Sequence, residues 1–260
     1  MKVISFSNAR GGCGKTTCNL EVATVLTNKG YRVLVIDLDM QGSLTKACGA
    51  QLSDKNIFSV LTAKCSIKDA IQKTEFFDVI PAASELGNAD RAFLDPEEDK
   101  FLISDVLTYV QDDYDFVFID TSPARNILHK MVFISADYVI IPTRNDALSL
   151  DATVTQLNEI HKLKNSRSGS GSYNFKLIGF VLSEYDNTIL SATAYDQLCE
   201  FANYEQSAFV CVISHAVKVA EIRSYHNAIT KKYKSSKAGR EFYFLAEKIL
   251  AKIEEDCFNG

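Results

Sequence analysis

Three glycines in four positions, Gly11, Gly12 and Gly14, followed at once by Lys15-Thr16-Thr17, constrain this chain more than any other feature. They stand between a short apolar run, Val3 to Ser7, and a segment of helical period reaching Lys29, where Gly30 supplies a left-handed cap. A strand, a glycine turn and a helix in that order converge backbone N–H groups and a positive helix end on one spot, which suits an anion. The glycines allow close backbone approach, and Lys15 adds a point charge for the β and γ phosphates of a nucleotide. Thr16 offers a hydroxyl to Mg²⁺, and Thr17 can donate to phosphate from the same turn. Cys13 reads as a small filler of the variable loop position, although a helix end can lower a thiol pKa.

Along the rest of the chain, short apolar runs alternate with longer segments of helical period. Strands are predicted near Val3 to Ser7, Val33 to Asp37, Phe77 to Ile80, Phe116 to Asp120, Tyr138 to Pro142, Lys176 to Leu182 and Phe209 to Ile213. The fold class is therefore α/β: a mostly parallel, twisted sheet of about seven or eight strands flanked by helices on both faces. Residues 1–260 read as a single domain, long enough to bury a substantial core. Val22, Ala23, Val25 and Leu26 form the expected sheet-facing stripe of the first helix, and Phe242, Leu245, Ala246, Ile249, Leu250 and Ile253 that of the last. Lys164 to Ser172 is rich in Ser and Gly, which predicts a surface loop.

Two predicted strands end in acids: Val33 to Ile36 runs into Asp37-Leu38-Asp39, and Phe116 to Ile119 into Asp120. Ligands of parallel sheets bind at the carboxyl ends of strands, and a magnesium nucleotide needs acids there. Other chemistries fit less well. Seven irregularly spaced cysteines suggest neither a zinc site nor a disulfide framework, and the four histidines lack metal-ligand spacing. The amino terminus runs straight into the glycine loop, so no leader is expected, and no apolar run approaches the roughly 20 residues of a membrane span. A cytoplasmic protein follows.

The segments Asn8-Ala9-Arg10-Gly11-Gly12-Cys13-Gly14-Lys15-Thr16-Thr17, Val35 to Thr45 and Tyr114 to Pro123 resemble the three signature motifs of the ParA/MinD group of deviant Walker ATPases, P-loop NTPases of the SIMIBI type. The likeness spans Met1 to about Ile253 and favours ParA/Soj-like members. It implies a partition or positioning ATPase: MgATP drives a sandwich homodimer that binds nonspecific DNA, and slow, partner-stimulated hydrolysis releases it. It also implies a nucleoid-associated protein with a ParB-like partner. By position, Thr16, Asp37 and Asp120 hold Mg²⁺, Asp39 orients or activates the attacking water, and Lys15 and Arg10 contact phosphates. Arg10 replaces the lysine that reaches across the dimer; arginine keeps the charge and changes the geometry. Met40 and Ser122 replace prolines, and Ser214-His215 replaces a Pro-Arg pair.

The formal net charge of −5 argues against a surface that is basic throughout, so nucleic acid needs a local patch. Lys218, Arg223, Lys231, Lys232, Lys234, Lys237 and Arg240 stand against the single acid Glu221 between Ser214 and Arg240. Such clustering supplies sequence-independent phosphate attraction. Lys218 matches a basic DNA-contact position of the resembling family. The acidic end Glu254-Glu255-Asp256 of the last helix speaks against a membrane-cycling, MinD-like alternative, and an ATP-binding scaffold with little turnover is the other rival.

Overall fold

The computed structural model describes residues 1–165, 173–205, 208–216 and 227–259. Among these, eight strands form one sheet: β1 (Lys2–Phe6), β2 (Val33–Leu38), β3 (Gln72–Lys73), β4 (Asp78–Ile80), β5 (Phe116–Thr121), β6 (Tyr138–Arg144), β7 (Lys176–Tyr185) and β8 (Phe209–Ser214). Their spatial order is β3-β4-β2-β5-β1-β6-β7-β8, and only the β3–β4 pair is antiparallel. The seven predicted strands are all present. The eighth, β3, has two residues and thus no period to read; Thr74 closes its turn by donating its hydroxyl to Phe77 O at 2.7 Å.

The helices are α1 (Lys15–Asn28), α2 (Ser43–Ala47), α3 (Ile57–Leu61), α4 (Ile67–Ala70), α5 (Ala89–Ala92), α6 (Leu102–Thr108), α7 (Ile127–Ser135), α8 (Ala147–Lys164), α9 (Ile189–Tyr204), α10 (Ile229–Lys232) and α11 (Lys237–Asn259). Side chains alternate across a strand, so Ile4 and Phe6 of β1 join α1 and α11 on one face while Val3 meets the α3, α6 and α7 side on the other. Beyond β1, Val139 and Ile141 pack with Leu157 and Ile160 of α8 and Leu198 of α9. Both faces are covered, which explains why β2 and β5 are buried at every position.

α1 departs from the one-stripe expectation. Residues 17–26 are all buried, because α10 and α11 cover the side turned away from the sheet. Its end is as read: Gly30 takes φ 94° after the cap at Lys29. Phe242, Leu245, Ala246, Ile249 and Ile253 of α11 are buried, with Leu250 packed partly against them. Most of the predicted Ser/Gly loop, residues 166–172, lies outside the described residues, and Lys164 ends α8.

Candidate functional site

β1 sits between β5 and β6, so the chain leaves it at the point where the strand order reverses and a crevice opens at the carboxyl ends. The following loop turns through Gly12 at φ 76° and Gly14 at φ 100°, and α1 starts at Lys15. A β-carbon on Gly14 would stand 2.6 Å from Ser183 Oγ, so conformation and space both require glycine there. Asn8 staples the loop to its surroundings, donating to Pro142 O at 2.8 Å and Thr153 Oγ1 at 3.3 Å and accepting from the Arg10 N–H at 3.0 Å. Lys15 Nζ donates to Asn8 O at 3.0 Å and Arg10 O at 2.8 Å, so the ammonium folds back under the loop.

A cleft of 440 Å³ opens beside it, lined by Gly11, Gly12, Gly14, Lys15, Thr16, Thr17 and Asp39 among others. Thr17 Oγ1 is buried with no hydrogen-bond partner among the described residues. A buried hydroxyl without a partner is costly, and a phosphate oxygen in the cleft would satisfy it.

Asp37 and Asp120 are register partners on β2 and β5, and Phe6 of β1 is the partner of Asp120 on its other side. Both carboxylates are fully buried. Thr16 donates its hydroxyl to Asp120 Oδ2 at 2.8 Å and Asn19 donates to Oδ1 at 2.9 Å. Asp37 Oδ2 accepts from the Thr45 N–H at 2.8 Å and hydroxyl at 2.7 Å, and Oδ1 from the Asp39 N–H at 3.1 Å. Burial pushes the pKa of both acids up; for Asp120 the neighbouring Asp37 charge adds to the rise, while Thr16, Lys15 and Asn19 oppose it. A divalent cation would oppose that rise by favouring the ionised carboxylates, and two carboxylates with a threonine hydroxyl are the hard oxygen donors it takes. The residues present therefore fit Mg²⁺. Asp39, half-buried at the cleft wall, accepts from the Gln41 N–H at 3.0 Å.

The other sequence candidates are placed less simply. Arg10 is turned to its own chain, pairing with Asp146 Oδ1 at 2.5 Å, and Asp146 also caps α8 through the Ser149 N–H. Cys13 is fully buried, donates to Arg10 O, and burial raises its pKa above the usual thiol value, which fits a filler rather than a reactive thiol. Neither Arg10 nor Cys13 lines the cleft. Of the basic set, Lys218 and Arg223 lie outside the described residues. Lys231 pairs with Glu75 Oε2 at 2.8 Å, Lys237 lies 3.9 Å from Glu241 Oε1, and Lys232 and Lys234 lie over the rings of Tyr233 and Tyr243. Arg240 is exposed. The described part of the stretch is thus less cationic in space than along the chain, because Glu75 comes in from the β3–β4 turn and Glu241 stands one helical turn beyond Lys237. Sequence reading also missed Asn19, Thr45 and Asp146, whose roles depend on partners 101, 8 and 136 positions away.

Residues 1–170 match the AAA_31 family model, an AAA domain. The chain belongs to that family. Its relatives place it among the ParA-type ATPases: the chromosome partitioning protein ParA of Caulobacter vibrioides is 27% identical over 261 residues, covering 97% of this chain and 95% of that protein. Among solved structures, apo McdA of Cyanothece superposes with a TM-score of 0.85 at 18% identity, over 96% of this chain and 99% of that one. A Borrelia burgdorferi chain described as a plasmid partition protein, bound to AMPPNP, gives 0.77 at 22% identity over 98% and 99%. This family member thus shares the P-loop ATPase fold along nearly its whole length. None of its described helices is long and apolar enough to cross a membrane.

Proposed function

We propose that this chain, acting as a single domain, is a DNA-partition or positioning ATPase that binds MgATP in the α1 cleft and switches its grip on DNA by nucleotide state. The observation that carries the reading is the buried pair Asp37 and Asp120 beside Thr16, with the unpartnered Thr17 hydroxyl one residue on. Within the loop Arg10 to Thr17, it is Gly11, Gly12, Gly14, Lys15, Thr16 and Thr17 that cradle the triphosphate, the glycines letting the backbone N–H groups approach. Lys15 exchanges the carbonyls of Asn8 and Arg10 for phosphate oxygens, and Thr17 gains a partner for its hydroxyl. Thr16, Asp37 and Asp120 hold Mg²⁺, which when bound neutralises charge building on the phosphates. Asp39 orients or activates the attacking water.

Arg10 must leave Asp146 before it can reach a partner subunit's phosphates, so the intrachain pair competes with the ATP homodimer. Two copies double the cationic contacts, Lys218, Arg223, Lys231, Lys232, Lys234, Lys237 and Arg240 from each, and so raise affinity for duplex phosphate. The name of the Caulobacter relative supports a partition role; a ParB-like partner and a place on the nucleoid complete the proposal. Retention of nonspecific duplex DNA tests the reading. Binding at least about tenfold tighter with MgATP than with ADP, falling steeply with salt, is the expected result. Equal binding in both nucleotide states would remove the proposed switch.

A further inference from the structure

Among the apolar neighbours Leu20 and Val22 of α1, Glu21 is only 2% exposed. Its carboxylate is occupied by the start of α10: Oε1 accepts from the Ile229 N–H at 2.8 Å, and Oε2 from the Thr230 N–H at 2.9 Å and the Thr230 hydroxyl at 2.7 Å. Ala228, Ile229 and Thr230 are themselves buried. The next two residues, Lys231 and Lys232, emerge exposed and begin the described part of the basic stretch. An apolar side chain could seal this contact without the desolvation cost of a carboxylate. What the carboxylate adds is register, since three donors fix one placement of the strap on α1.

From this geometry we infer that Glu21 is a positioning residue: it locks the basic strap onto the phosphate-binding helix, so that the cationic face follows α1 when nucleotide engages Lys15, Thr16 and Thr17. Thr16 and Glu21 are five residues apart on one helix, roughly 7–8 Å along its axis at about 1.5 Å per residue. Over so short a span the helix moves as a unit, and the strap is bonded directly to it. Lys231 also pairs with Glu75 Oε2 and lies over the face of Phe76, but that pair is at the surface and weak beside the buried bonds to Glu21, which set where the strap sits. The inference deepens the proposed nucleotide-controlled DNA binding and rests on it.

The test uses the full chain with Glu21→Gln, which keeps shape but puts an amide group against donors, and with Thr230→Val, which removes one donor from the opposite side. Nucleotide affinity, DNA affinity with MgATP, its salt slope, and hydrogen exchange at residues 227–233 are measured on each. The expected result is nucleotide affinity within about twofold of the parent, DNA affinity down about tenfold or more with a shallower salt slope, and faster exchange at Ile229 and Thr230. Parent-like DNA affinity and slope in both variants would overturn the inference. So would a parallel loss of nucleotide binding, helix content and DNA binding, which marks a purely structural contact. A parent that binds DNA equally in every nucleotide state would sink the functional reading instead. Exchange alone then decides the link: MgATP protects Ile229 and Thr230 in the parent but not in Glu21→Gln if it holds, and equally in both if it does not.

Discussion

Replacing Gly14 by alanine tests the phosphate loop where its geometry is most demanding. Gly14 has φ 100°, and an alanine held there carries strain of about 1–2 kcal/mol. The new methyl would stand 2.6 Å from Ser183 Oγ, so Ser183 must leave its rotamer at a further ~0.5–1.5 kcal/mol. Together these predict a loss of roughly 1.5–3.5 kcal/mol, a fall in Tm of about 3–14 °C for a chain of this length. The loop would otherwise relax by moving its N–H groups away from the phosphates, so nucleotide affinity should fall with stability. Thermal melting and titration with a fluorescent adenine nucleotide read the two effects. Adding Ser183→Ala removes the Oγ contact and leaves φ untouched, so the double variant should recover about a third of the lost stability. An alanine variant with parent Tm and parent affinity would refute both the strain and the role of the loop.

Three further outcomes follow from the site. Asp39→Ala should still bind MgATP while hydrolysis falls by about 10²-fold or more in a steady-state phosphate-release assay, and a normal rate would remove Asp39 from the chemistry. Asp37 and Asp120 have folded-state pKa values raised above their unfolded values, so the penalty is absent well below about pH 4, grows as pH rises from there to the folded values and then levels off, because the unfolded chain releases protons first. Urea midpoints of the nucleotide-free protein should therefore show a downward contribution across that window that Asp120→Asn diminishes; an unchanged profile would contradict it. Asp146→Asn keeps a good helix cap and loses a half-exposed ion pair, so stability should change by less than about 1 kcal/mol. The freed Arg10 should let the ATP dimer form at lower protein concentration in analytical ultracentrifugation, whereas a weaker dimer would argue against competition.

How far the sequence went can be judged from particular residues. The β1–loop–α1 unit was legible because its signals are local: an apolar run, glycines at the turn, and Lys15-Thr16-Thr17 opening the helix. Asp37 and Asp120 could be placed at strand ends, but their side-by-side register is a property of the β2–β5 pairing and appears only in three dimensions. The same holds for Asp146, which takes Arg10 from 136 positions away, and for Glu21, whose partner Thr230 lies 209 positions on. The burial of α1 all round was missed because its outer cover comes from the far end of the chain. Likewise, Glu75, 156 positions from Lys231, tempers a basic run that reads along the chain as nearly unopposed.

Isothermal titration of the purified chain with ATP, with magnesium and then with a chelator, bears most directly on the central claim. One adenine nucleotide should bind per chain, with affinity that drops sharply on chelation and is lost in Lys15→Ala. Heat unaffected by magnesium and by Lys15, or no binding in either condition, would contradict a nucleotide seated at the start of α1.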